Sequence, residues 1–138
     1  MYWLVRFTCF LCLFAAGVSA DNVPDGDAIL AQKYAEFNRR WFDDKLPVKN
    51  IEIGWGDSTG TYYTNYEDEG FHAGIAIIRK VEGYDNRVCM EILHEMVHLK
   101  LVIDDKDFFV RASKNTHEAA FQEEMLNLAK RGAFADCW

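Results

Sequence analysis

The apolar residues that follow Asp27 recur with the period of an amphipathic α-helix. Their spacings are four, three and four residues, at Leu30, Tyr34, Phe37 and Trp41. Such a spacing places them on one face of a helix, and we expect that face to pack against the core. Asp27 or Asp25 is suited to cap the start of this helix, and Pro47 prevents it from continuing further.

Three segments after this helix have the character of β-strands. Apolar and polar residues alternate over residues 51–55, Thr and Tyr are frequent over residues 61–66, and residues 71–78 end in an apolar run. These patterns are typical of strands, and turn-forming residues separate the three segments. Their close succession predicts a three-stranded antiparallel sheet with one face against the helices.

A longer apolar segment predicts a central helix over about residues 86–102. Its apolar residues cover most of the helix circumference: Val88, Met90, Ile92, Leu93, Met96, Val97, Leu99 and Leu101. A helix that is apolar around most of its circumference is buried. A last helix is predicted over about residues 116–131, with Gly132 as its stop. The sequence therefore predicts an α+β fold in which three helices pack on the sheet.

The first twenty residues match a secretory signal peptide. One cation, Arg6, precedes an apolar stretch over residues 7–16, and Val18-Ser19-Ala20 then forms a cleavage signal. Cleavage after Ala20 leaves residues 21–138, a length suited to one domain. We expect a secreted or periplasmic protein with no stable membrane span after cleavage. The alternative is an uncleaved anchor, because the apolar segment approaches membrane-spanning length.

The charge of the chain argues against nucleic acid as a partner. The full sequence has 15 basic and 22 acidic residues and a formal charge of −7, and loss of Arg6 with the signal makes it −8. Binding to a phosphate backbone needs clustered cations, and the sequence contains no run of Lys or Arg beyond pairs. We therefore expect no nucleic-acid partner.

The predicted central helix contains the pattern His-Glu-x-x-His at residues 94–98. His94 and His98 are four residues apart, so their imidazoles point in nearly the same direction from a helix and can share one metal ion. Glu95 is rotated by about 100°, which places it to reach a water on that metal rather than the metal itself. Zinc lowers the pKa of such a water to about 7, and a neighbouring carboxylate can take its proton. The pattern predicts a zinc site with Glu95 as the catalytic base.

A catalytic zinc ion needs a third protein ligand, for which His117 and Glu118 are the candidates. Apolar residues follow His117 at four, eight and eleven residues, at Phe121, Met125 and Leu128. The spacings from Glu118 lead instead to Gln122 and Ala129. The helical phase favours His117, and Glu118 remains the alternative.

Signal cleavage removes Cys9 and Cys12 and leaves Cys89 and Cys137. Two cysteines in an oxidising compartment can form one disulfide, and we predict that Cys89 pairs with Cys137. The alternatives are two free thiols, or a Cys137 thiolate that binds the zinc and keeps the protein inactive.

These motifs together resemble the SprT-like (Spartan-type) metalloprotease domain. The resemblance rests on the His94-to-His98 motif followed by His117, Phe121 and Met125, and on the opening helix and first strand. It covers residues 30–130 and implies a small zincin-like core, with His94, His98 and His117 as zinc ligands and Glu95 as the catalytic residue. This sequence departs from the family by Glu118 in place of Gly, by the lack of a zinc ribbon, and by its export signal and acidic charge.

The resemblance and the motif predict an exported zinc-dependent endopeptidase that acts on protein or peptide substrates. Glu95 would activate the water and pass its proton to the leaving amine. Weak candidates for stabilising the oxyanion are Tyr62, Tyr63 and His72. The alternative is a binding protein that keeps the zincin fold without turnover, and Glu118 is the one feature that favours it.

Overall fold

The computed structural model describes residues 19–66, 70–105 and 117–138. Three α-helices and one four-stranded sheet form the fold in this part of the chain. No helix within these ranges is both long and apolar enough to cross a lipid bilayer. The predicted signal peptide lies outside the described residues except for Ser19 and Ala20, so its cleavage stays a prediction.

The helices and strands have the following bounds. The α-helices are α1 (Ala28–Trp41), α2 (Asp85–Asp104) and α3 (Ala119–Lys130). The strands are β1 (Asp25–Gly26), β2 (Ile51–Gly56), β3 (Gly60–Tyr66) and β4 (Gly70–Ile78). Short 3-10 helices cover Ala20–Asn22, Arg79–Val81 and Ala133–Cys137.

The sheet is mixed, with the strand order β1-β2-β4-β3. Strand β4 pairs in parallel with β2 and antiparallel with β3, so the predicted three-stranded antiparallel sheet is wrong. The physical reason is the composition of β4, whose side chains Ala73, Ile75 and Ile77 are all buried. An apolar strand is best placed between two neighbours, whereas the Thr- and Tyr-rich β3 suits the edge.

A short connection over residues 57–59 carries the chain from β2 across the end of β4 to β3. The backbone N–H of Ile78 donates a hydrogen bond to Thr59 Oγ1 at 3.0 Å, which fixes the connection to β4. At the start of the connection, a Cβ on Gly56 would lie 3.1 Å from the Cβ of Ala76, so a larger residue would crowd the sheet. This crossing delivers β3 to the far side of β4, where Thr61 reaches helix α2.

Helix α1 is capped and tied to the loop that leads into β2. The Asp27 carboxylate accepts hydrogen bonds from the backbone N–H groups of Ile29 and Leu30, which confirms one of the two predicted caps. The Asn38 side chain is buried and both donates to and accepts from the backbone of Leu46. Both polar groups of the buried Asn38 side chain therefore have a partner.

The N-terminal strand β1 had no signal in the sequence. It pairs in parallel with β2 over only two residues, Asp25 with Glu52 and Gly26 with Ile53. Gly26 has a φ of +121°, and a Cβ at this position would collide with the carbonyl oxygen of Ile53. Glycine is therefore required where the chain enters the sheet.

Helix α2 is the central element of the core. Its buried apolar residues pack against the inner face of the sheet and against α1 and α3: Val88, Cys89, Ile92, Leu93, Met96, Val97, Leu99 and Val102. The predicted burial of this helix is confirmed. The site residues on α2 therefore lie on a rigid element that is fixed from several sides.

The C-terminal segment is joined to the start of α2 by a disulfide. Helix α3 ends before Gly132, which has a φ of +89° as expected for a stop, and the 3-10 helix Ala133–Cys137 follows. Cys137 is bonded to Cys89, with their Cα atoms 5.4 Å apart. The predicted pairing agrees with this arrangement, in which neither thiol is free and Cys137 is not available as a metal ligand.

Replacing both Cys89 and Cys137 by Ala should lower the free energy of unfolding by about 2 to 4 kcal/mol, because the unfolded chain gains conformational freedom. Urea unfolding of protein without residues 1–20 measures this difference. Thiol titration of the same unreduced protein in denaturant should detect no free thiol, and two free thiols would contradict the pairing.

Candidate metal centre

Helix α2 places two imidazoles on one face. His94 and His98 are half-buried, and their Nε2 atoms lie 3.1 Å apart. Their ring centroids are 4.9 Å apart at an angle of 63°, so the two rings converge at their Nε2 edges rather than stack. This is the arrangement predicted from their spacing of four residues on a helix.

The third imidazole comes from the turn before α3. The predicted start of this helix is wrong by about three residues, because α3 begins at Ala119 and His117 precedes it. Gln122 Nε2 donates a hydrogen bond to the backbone oxygen of His117 at 3.1 Å and so ties the turn to the helix. From this position His117 Nε2 lies 3.1 Å from His94 Nε2.

The three histidines lie close enough to bind one metal ion, and their predicted proximity is confirmed. One nitrogen of each ring lies within 4.8 Å of the others. Nitrogens that bind zinc tetrahedrally at about 2.0–2.1 Å lie roughly 3.3–3.4 Å apart, close to the two 3.1 Å separations. Glu118, the alternative ligand, is not part of this cluster. The donor set of three imidazoles fits a borderline-soft divalent cation such as zinc.

The aromatic ring of Phe121 packs against one side of all three imidazole rings. Its centroid is 4.4 Å from that of His98, 4.7 Å from that of His117 and 4.9 Å from that of His94. The ring is stacked on His98 with an interplanar angle of 25° and is itself buried. The buried ring of Phe121 restricts the orientations of the imidazoles and excludes water from one side of the cluster.

The surroundings of the cluster favour neutral imidazoles, the form that binds metal. Burial and, to a smaller extent, the charges that His94 and His117 would carry together lower the pKa of His98 to about 4. Burial also lowers the pKa of His94, again with a contribution from His117. At neutral pH each of these two imidazole rings therefore has one unprotonated nitrogen, whose lone pair can bind a metal ion.

Glu95 is the only charged residue that is buried in the described part of the chain, with 4% of its surface exposed. The pKa of its carboxyl group is raised to about 6, because burial and the nearby charge of Glu91 raise it by more than the hydrogen bond from Thr61 lowers it. Glu95 Oε1 lies 3.9 Å from His94 Nε2. The carboxylate therefore borders the cluster without being one of its ligands.

An ion pair joins the two helices that carry the cluster. Lys100 Nζ on α2 lies 2.6 Å from Asp104 Oδ2 and 3.5 Å from Glu124 Oε2 on α3. The hydrogen bonds and charges of these two carboxylates raise the pKa of Lys100, against the effect of its partial burial. Because the pair links α3 to α2 beyond the cluster, it helps to hold His117 opposite His94.

The structure separates the three weak oxyanion candidates. Tyr62 and His72 lie on the face of the sheet opposite the helices, because they alternate with inward residues such as Thr61 and Ala73. Only Tyr63 lies on the helix side, where it packs against Val102.

Sequence analysis did not identify the contacts that Thr61 and Phe121 make in the site. The only sequence feature that pointed to the contact of Phe121 was its spacing of four residues from His117.

Comparison with known proteins identified no relative of this chain. No family model, no curated protein and no solved structure matches the chain. The fold and the cluster therefore define a class by geometry alone: an α+β domain with a three-histidine candidate metal centre beside a buried carboxylate.

We predict one metal ion per chain and its loss on removal of His117. The His117→Ala variant should lose the ion on dialysis because two imidazoles remain, whereas the matched neighbour Glu118→Ala should keep it. Elemental analysis of dialysed protein measures the ratio of metal to chain. Retention by the first variant together with loss from the second would reverse the ligand assignment.

Proposed function

We propose that this chain is an exported zinc-dependent endopeptidase that resembles the SprT-like type and has a zincin-like core. In this proposal His94, His98 and His117 hold the zinc ion and Glu95 is the general base. The observation that carries it is the position of the Glu95 carboxylate, buried and 3.9 Å from His94 Nε2 at the edge of the histidine cluster.

Each part of the site has a separate role in hydrolysis. His94, His98 and His117 would hold the zinc ion, which would act as a Lewis acid toward a carbonyl group and lower the pKa of the attacking water. Glu95 Oε1 takes the proton from the attacking water as the water oxygen bonds to the carbonyl carbon. When the carbon–nitrogen bond breaks, Glu95 returns this proton to the leaving amine. The carboxylate therefore ends each cycle ionised, as it began.

The choice of a peptide bond as the target rests on the resemblance in sequence. The His-Glu-x-x-His helix followed by His117, Phe121 and Met125 matches the pattern of the SprT-like domain. The buried carboxylate supports turnover over simple metal binding, because burying an ionised group is costly and Glu95 is not one of the ligands in the cluster.

The proposed location is outside the cytoplasm, in the secreted or periplasmic space. The Cys89–Cys137 disulfide supports this, because disulfides persist in oxidising compartments and are rare in the cytosol. The N-terminal segment has the features of a signal peptide, and the acidic sequence contains no run of Lys or Arg beyond pairs that would favour nucleic acid.

Glu95→Gln should abolish cleavage of an unfolded protein substrate while the metal stays bound. Loss of general base catalysis reduces turnover by about 10²- to 10⁴-fold, and the amide keeps the size of the side chain. The measurement is the cleavage rate of a fluorogenic casein or a peptide library, with the metal content determined in parallel.

The matched control is the Glu123→Gln variant. Glu123 is exposed on α3, so this variant should cleave the substrate at the wild-type rate. Wild-type turnover by Glu95→Gln would show that Glu95 is not the base. A wild-type protein that carries its metal and cleaves nothing would favour the non-catalytic binding protein instead.

A further inference from the structure

We propose that Thr61 is a positioning residue, which holds one oxygen of the Glu95 carboxylate so that the other faces the histidine cluster. This inference rests on the proposed function and extends it to a residue on the edge strand of the sheet. Thr61 lies on β3 and Glu95 on α2, 34 residues apart in sequence.

The two oxygens of the carboxylate have different neighbours. Thr61 Oγ1 donates a hydrogen bond to Glu95 Oε2 at 2.7 Å. Glu95 Oε1 lies 3.9 Å from His94 Nε2, on the side of the cluster. The hydrogen bond therefore engages the oxygen that does not face the candidate metal, and Oε1 remains available to exchange a proton with water.

The same hydroxyl also lies against the backbone of the helix. Thr61 Oγ1 is 3.2 Å from the backbone oxygen of Glu95 and thus contacts both ends of this residue. A glutamate side chain has three rotatable bonds, and burial alone does not select one orientation of its carboxylate. A hydroxyl placed between the backbone and the carboxylate of Glu95 fixes that orientation relative to the helix.

The position of Thr61 is fixed in turn by the sheet. Thr61 pairs with Ile75 of the central strand β4, whose side chain is buried in the core. The Thr side chain is branched at Cβ and has few χ1 rotamers, so its hydroxyl is held with little freedom. The next threonine of the strand, Thr64, has an exposed side chain on the opposite face and does not contact Glu95.

This arrangement makes the hydroxyl the essential group. Thr61→Val keeps the branched shape and the strand propensity but removes the donor, whereas Thr61→Ser keeps the donor. Thr64→Val makes the same chemical change on the other face of the same strand and serves as the matched control.

The test measures kcat, KM and metal affinity for these three variants of the full mature chain. Thr61→Val should lower kcat by about 10- to 100-fold, the range that corresponds to a lost hydrogen bond to a charged group. Its KM and its zinc affinity, measured by competition with a chelator, should stay at the wild-type values because Thr61 contacts no ligand. Thr61→Ser should retain most of the wild-type kcat, and Thr64→Val all of it.

The outcomes separate this inference from the function on which it rests. Wild-type kcat in Thr61→Val, or equal losses in Thr61→Val and Thr61→Ser, would overturn the positioning role. Loss of zinc affinity in Thr61→Val would show instead that the hydroxyl maintains the cluster. A zinc-loaded wild type without peptidase activity would overturn the proposed function and, with it, a catalytic role for this contact.

The contact itself can be measured without turnover. Thr61→Val should lower the denaturation midpoint of the wild-type chain but should have little effect in a Glu95→Leu background, where the acceptor is absent. Equal shifts in the two backgrounds would show that Thr61 and Glu95 do not interact, and would overturn the inference whatever the activity.

Discussion

The burial of the Glu95 carboxylate is the constraint on which the rest of the structure depends, since an ionised carboxylate loses on the order of several kcal/mol of hydration when it leaves water. Two features compensate here: the Thr61 hydroxyl at 2.7 Å, and a cluster of imidazoles suited to hold a cation beside it. Both lower the cost of carrying this residue on the buried face of helix α2. The core therefore tolerates a charge beside the candidate metal centre.

The mixed sheet places the hydroxyl that contacts this carboxylate. In a simple meander β3 would lie between β2 and β4, and its polar side chains would occupy the centre of the sheet. In the observed order the apolar β4 takes the centre, and β3 forms the edge that reaches Glu95 through Thr61. The crossing over residues 57–59 is thus what brings a hydroxyl from the sheet to helix α2.

Local patterns in the sequence predicted the parts of the fold that local forces determine. The apolar period of α1, the aspartate cap, the buried α2 and the glycine after α3 each depend on neighbours within about four residues. The spacing of His94 and His98 belongs to the same class, and the phase from Phe121 pointed to His117 although that histidine precedes its helix. Strand order and the contact between Thr61 and Glu95 depend on residues far apart in sequence, and no local pattern encodes them.

The disulfide has a consequence for the integrity of the site. Residues 89 to 137 form a covalently closed loop, and His94, Glu95, His98 and His117 all lie within it. If the chain acts as proposed, as a protease outside the cytoplasm, it is exposed to cleavage by other proteases and by copies of itself. One cut anywhere in this loop yields two pieces that stay covalently joined, so that a nicked chain still carries all four residues in one molecule. Such a chain migrates as a single species until it is reduced.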